Sequence, residues 1–134
     1  MKRLYTGACH CGAVRFEVLA DISGGTWRCN CTICAKSRLW TVEGAPEDVR
    51  ILKGADDLID YSFKSHVAHH YFCRTCGIRP FQYVDLPLEN RRYYNINIAC
   101  LEDVDIDELM AAPVNYPDGL NDRWESVPDE TRHL

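Results

Sequence analysis

Seven cysteines fall into three short clusters: Cys9-His10-Cys11, Cys29-Asn30-Cys31-Thr32-Ile33-Cys34 and Cys73-Arg74-Thr75-Cys76. A C-x-C or C-x-x-C pair sets two sulfurs close together on one tight turn. That arrangement suits a metal ion better than a disulfide framework, which spaces its cysteines out. Zinc is the ion expected, because Zn²⁺ takes four tetrahedral ligands and accepts all-thiolate sets.

Counting the sulfurs divides them. Seven make one closed set of four and one open set of three. Gly12 follows Cys11 and Gly77 follows Cys76, where a knuckle turns sharply and favours positive φ. A strand-like run follows each glycine. The two halves read as matching jaws, so Cys9, Cys11, Cys73 and Cys76 are assigned to a closed, structural zinc. Such a site would staple two hairpins with on the order of 10 kcal/mol of folding free energy. Cys29, Cys31 and Cys34 then have no fourth cysteine. Three protein ligands with an open position is the pattern of a catalytic zinc, giving two zinc ions per chain. A substrate thiol entering that position would be held as thiolate near neutral pH. Two other readings of the middle cluster stand beside this one: a second structural zinc closed by a histidine or carboxylate, and a metal-free redox trio.

The elements that must position these clusters are mostly strands. Residues 13–19 alternate, with Val14, Phe16 and Val18 on one face. Residues 39–42, 49–52, 58–63, 68–72, 78–84 and 93–100 read as further strands. Tyr94, Ile96 and Ile98 share a face of the last. Residues 1–8 read as a short polar lead. Residues 105–112 form the one helix candidate, with Asp105 as cap, acidic residues in the first turn and Pro113 at the end. Many short strands with turn signals predict a mainly β domain of two small sheets with one short helix near the C-terminus.

The whole chain sets bounds. Its 134 residues suit a single domain, 1–134, and 46% hydrophobic content suffices for a core. The net charge of −5 argues against nucleic acid. No apolar run is long enough to span a membrane, and no hydrophobic stretch precedes Cys9. Eight cysteines without a secretion signal point to a reducing, cytoplasmic setting.

The three motifs together resemble a known family. Gly7-Ala8-Cys9-His10-Cys11-Gly12-Ala13-Val14-Arg15-Phe16, Cys29-Asn30-Cys31-Thr32-Ile33-Cys34-Ala35-Lys36 and Phe72-Cys73-Arg74-Thr75-Cys76-Gly77 are similar to segments of the glutathione-dependent formaldehyde-activating enzymes, a family that includes centromere protein V. The motifs span residues 7 to 77, and the resemblance extends to about residue 125. It implies a zinc-stapled β-tent fold, a structural zinc on the first and third clusters and a catalytic zinc on the middle one. It also implies a carbon–sulfur lyase resembling S-hydroxymethylglutathione synthase, with a small thiol such as glutathione and an aldehyde such as formaldehyde as substrates. The alternative is a non-catalytic zinc-stapled protein-interaction module.

Residues around the middle cluster carry secondary readings. Lys36 and Arg38 could hold substrate carboxylates, screen the negative charge of a three-thiolate zinc, or stand as a solvated surface pair. Trp27 and Trp40 could wall a pocket, or pack in the core. His69 or His70 could face the open zinc as ligand or proton shuttle, or be an ordinary strand histidine. His10 is expected to face solvent, and Cys100 to be a buried thiol. The segments expected to build the substrate pocket, roughly residues 39–44 and 85–92, carry no signature. A methionine sulfoxide reductase chemistry fits poorly, since Cys100 is alone outside the clusters.

Overall fold

A computed structural model describes all 134 residues. The chain is mainly β, with two sheets and two short helices. Strands β1 (Arg3–Ala8), β2 (Arg15–Ala20) and β5 (Val49–Lys53) form a three-stranded antiparallel sheet in the order β1-β2-β5. The second sheet has seven strands: β3 (Thr26–Trp27), β4 (Thr41–Gly44), β6 (Leu58–Tyr61), β7 (Ala68–Cys73), β8 (Phe81–Leu86), β9 (Arg91–Asn97) and β10 (Val114–Asn115). Their order is β10-β3-β4-β9-β8-β7-β6. No helix is long and apolar enough to cross a membrane.

The core lies where the two sheets face each other, and strand alternation sets it. Phe16, Val18 and Ala20 of β2 point inward, while Arg15, Glu17 and Leu19 do not. They meet Val42, Phe81 and Ile96 from the larger sheet and Ile98 just past the end of β9. The Phe16 and Phe81 rings meet edge to face, 5.4 Å between centroids. Gly44 permits the close approach of the sheets, since a Cβ there would lie 3.1 Å from Val18 and 3.2 Å from Val49.

Four expectations are corrected. Residues 1–8 are not merely a lead, because Arg3–Ala8 pairs with β2 along its full length. A helix, α1 (Thr32–Ser37), runs out of the middle cluster, so the expected single helix, here α2 (Ile106–Ala111), is one of two. The strand after Gly77 begins only at Phe81, because Pro80 has no N–H to give to a ladder. The strand expected over 93–100 ends at Asn97, where the Asn97 side chain accepts from Ala99 N–H and turns the chain. In α2 the expected cap holds: Asp105 Oδ1 accepts from Asp107 N–H at 2.8 Å.

Candidate metal and thiol site

The first and third clusters sit on two hairpin turns built alike. In the β1–β2 turn, Cys9 N–H donates to Val14 O at 3.1 Å and Gly12 N–H to Cys9 O at 3.2 Å. In the β7–β8 turn, Cys73 N–H donates to Ile78 O at 3.0 Å and Gly77 N–H to Cys73 O at 2.8 Å. Both glycines adopt positive φ, +79° and +75°, as the knuckle reading requires. The turns bring Cys9, Cys11, Cys73 and Cys76 together, with all four sulfurs within 4.8 Å of one another. Cys9–Cys11 and Cys11–Cys73 are each 3.7 Å apart. That is too long for a disulfide. It matches the edge of a tetrahedron with metal–sulfur bonds of about 2.3 Å, whose ligands stand about 3.8 Å apart. Backbone N–H groups, first that of Cys11 and then that of Ile78, pull the Cys76 thiol down to about 6. Those peptide donors favour the thiolate at Cys76, whereas Cys11 in the same set is pushed up to about 11.

The middle cluster is assembled differently. Cys29 follows β3, Cys31 caps α1 and Cys34 lies in its first turn, so i and i+3 place two sulfurs on one side of the helix. Cys31 N–H donates to Cys29 Sγ at 3.3 Å. The three sulfurs lie within 4.8 Å of one another, and no histidine or carboxylate completes the set. Donation from the Cys29 and Cys34 thiols holds the Cys31 thiol well below its ordinary range. The same neighbours, followed by burial, push the Cys34 thiol up. Held this close, the three thiols oppose one another's ionisation. A divalent cation is the charge that would let all three ionise.

Asn30, between Cys29 and Cys31, anchors the tail. Its Nδ2 donates to Asp118 Oδ1 at 2.8 Å, and its Oδ1 accepts from Leu120 N–H at 2.9 Å. Asn121 Nδ2 also donates to Asp118, at 3.1 Å. Donation from Asn30, then Asn121, holds the Asp118 carboxyl below the usual range. Residues 118–124 thus form a strap beside the cluster. At Gly119 it comes close: a Cβ there would lie 2.7 Å from Cys29 Sγ and 2.7 Å from the Trp124 ring.

On the sheet, His70, Gln82, Asn95 and Glu43 are direct cross-strand neighbours and share one face. Arg79, just ahead of β8, is 5% exposed. One of its terminal nitrogens donates to both His70 Nδ1 and Gln82 Oε1, and the other to Ser37 Oγ at 3.5 Å. Since the guanidinium can only donate, His70 accepts at Nδ1 and carries its proton on Nε2. Burial first, and then the Arg79 charge, push His70 down to about 4, so the ring is neutral. Burial pulls the Arg79 guanidinium down from its ordinary value, and the nearby sulfurs of Cys34 and then Cys31 oppose that shift.

The flanking candidates separate. Lys36 and Arg38 are exposed at the end of α1, and neither pairs with a carboxylate. Trp40 is structural: its Nε1 donates to Thr26 Oγ1 at 2.8 Å, and Arg28 stacks on its ring at 4.5 Å. Trp27 lines two shallow clefts, one of them against the tail. His69 is held by Asp60 at 2.9 Å, whereas His70 lies on the cluster side. His10 is exposed. Cys100 is buried, and burial raises its thiol to about 12. From the two expected pocket segments come Glu43 and Arg91, paired at 2.7 Å beside Tyr93. Arg79, Asn30, Asp118 and Gly119 were not singled out by sequence. A buried arginine inside a strand-like run and a polar tail carry no local signal of their partners.

The family model described as glutathione-dependent formaldehyde-activating enzyme matches residues 4–115. The fold is similar to that of a crystal structure of a Rhodobacter sphaeroides protein solved in a structural genomics programme, with a TM-score of 0.69 and 34% sequence identity. The match covers 82% of this chain and 99% of that one.

Proposed function

The chain belongs to the glutathione-dependent formaldehyde-activating enzyme family, and from that premise we propose that it joins a small thiol to an aldehyde, or releases it, at the middle cluster. In this reading Cys9, Cys11, Cys73 and Cys76 hold a structural zinc ion. Cys29, Cys31 and Cys34 hold a second, with its fourth position left for the substrate sulfur. The observation that carries the proposal is the three-sulfur set that no histidine or carboxylate completes.

A zinc ion bound there supplies the positive charge that keeps a substrate thiol ionised at neutral pH. The chain's own residues do the rest. The three cysteines fix where the fourth ligand sits. The strap from Asp118 to Trp124 lies against Cys29 and would cover one side of the site. Lys36 and Arg38, unpaired at the end of α1, suit the carboxylates of a glutathione-like tripeptide. In the addition step the thiolate sulfur bonds to the carbonyl carbon, the C=O π pair moves to oxygen, and that oxygen takes up the proton the thiol released. The product is a hemithioacetal, S-hydroxymethylglutathione for formaldehyde. The reverse breaks the same carbon–sulfur bond, and neither direction changes oxidation state.

The test is spectroscopic. Co²⁺-substituted protein is titrated with glutathione and with a simple thiol, and sulfur-to-metal charge-transfer absorption is followed. Glutathione should intensify the band, and Lys36→Ala or Arg38→Ala should weaken that response. A band unchanged by either thiol overturns thiol activation. A response to the simple thiol alone retains the mechanism and discards glutathione.

A further inference from the structure

Only two charged side chains in the molecule are buried, Arg79 and Asp118, and both border the middle cluster. Asp118 is fully engaged by amide donors. Arg79 is not satisfied in the ordinary way. It makes no ion pair with any carboxylate, and its Nε has no hydrogen-bond partner. Its terminal nitrogens meet only neutral groups: His70, Gln82 and Ser37. A buried cation without an anion is costly, and proteins rarely keep one. Ser37 closes α1, the helix whose first turn carries Cys34, so the guanidinium lies against the element that holds the cluster. The ionisable groups whose field reaches it are the sulfurs of Cys34 and Cys31, on that helix and at its cap.

We propose that Arg79 is the positioning residue that balances the charge of the middle site: its buried guanidinium is the counter-ion of a divalent cation held by three thiolates. Such a complex has net charge −1, and with Arg79 the buried unit is neutral. This deepens the zinc reading above, since it assigns the residue that lets an anionic site exist beneath the strap. It also sets the ligand class for the fourth position. A neutral unit accepts one further anion, such as a thiolate, far more readily than an anionic unit would.

The test uses metal affinity, which can be read whether or not any thiol binds. Chelator competition is run on the full chain, on Arg79→Met, which keeps length without charge, and on Arg79→Lys, which keeps charge. A Cys31→Ser chain, retaining only the four-sulfur set, serves as control. Two unit charges about 6 to 12 Å apart at an effective dielectric constant of about 20 change a binding constant by roughly ten- to a hundredfold. Arg79→Met should weaken the middle metal by that factor and leave the four-sulfur metal and the metal-free melt unchanged or improved. Arg79→Lys should stay within about threefold of the parent chain. Equal retention in Arg79→Met overturns the proposal. Equal loss in Arg79→Met and Arg79→Lys, with a lowered melt, also overturns it, by assigning Arg79 a packing role. If the parent protein holds two metals yet its Co²⁺ band ignores thiols, the enzymatic reading fails while the charge-balance result still stands or falls on affinity.

Discussion

Gly119→Ala should loosen metal at the middle cluster while sparing the fold. The new methyl would stand 2.7 Å from Cys29 Sγ, and ordinary contact begins at 3.4 Å, so something must move by at least 0.7 Å. Gly119 is not in the left-handed region, so alanine adds no backbone strain there. Two neighbours can give way. The Trp124 ring is more than half exposed and can swing outward. Cys29 Sγ cannot move freely if it is a metal ligand, and the strap is tied down at Asn30 through Asp118 and Leu120. Overpacking of this kind costs about 1–3 kcal/mol, which corresponds to roughly 5- to 150-fold weaker binding. Chelator competition for the second metal reads the loss, and a thermal melt reads the fold. Adding Trp124→Ala relieves the ring contact without relieving the sulfur contact, so the loss should persist in the double variant. Unchanged metal affinity in Gly119→Ala would refute the reasoning, because the strap would then yield without constraining Cys29. Recovery in the double variant would refute the role of the sulfur contact.

Three further outcomes follow from the same geometry. Cys73→Ser should damage folding, since Cys73 is buried between two hairpins more than sixty residues apart in sequence, whereas Cys31→Ser should lose one metal and keep the fold; zinc content with melts checks both. On mild chelation or acidification the middle metal should leave first, because three protein ligands hold it instead of four, and a colorimetric chelator should record two steps rather than one. Glu108→Gln should destabilise the protein at neutral pH. The Tyr5 hydroxyl, and then Arg3, hold the Glu108 carboxyl below 4.5, so its stabilisation is present above that pH and lost as pH falls through its lowered value. Parent and variant melts should therefore converge in acid.

What was legible in the sequence follows from how far each signal reaches along the chain. Sulfur marks itself: the two sets Cys9-Cys11-Cys73-Cys76 and Cys29-Cys31-Cys34 were readable because clustering and the trailing glycines Gly12 and Gly77 are local. The alternation of Tyr94, Ile96 and Ile98 likewise sits within a few residues. Helix α1 escaped because six residues are too few to show a helical period, and its C-x-x-C reads equally as a knuckle. Strand β1 escaped because Leu4 is exposed while Tyr5 and Gly7 are buried, so its inward face carries little of the expected apolar signal. Asn30 and Asp118 are 88 positions apart, and Arg79 lies 42 from Ser37. Such pairs exist only once the sheets have formed, and no spacing rule announces them.

The two sulfur sets also differ in how they can carry charge, and this bears on which of them can do chemistry. Four thiolates around a divalent cation leave a net charge of −2. Cys11 is exposed, and backbone N–H groups donate to Cys73 and Cys76, so water and peptide dipoles can support that charge. With four ligands in place, nothing is left to exchange. The middle set has Cys34 buried, a strap beside Cys29 and no water-facing sulfur as open as Cys11. An anion held there needs a charged partner from the protein, and Arg79 is the one cation buried beside it. A site shielded in this way raises the strength of each electrostatic contact within it. The exposed Cys11 at the first set and the buried Arg79 beside the second are the grounds on which we propose a structural role for one and thiol chemistry for the other.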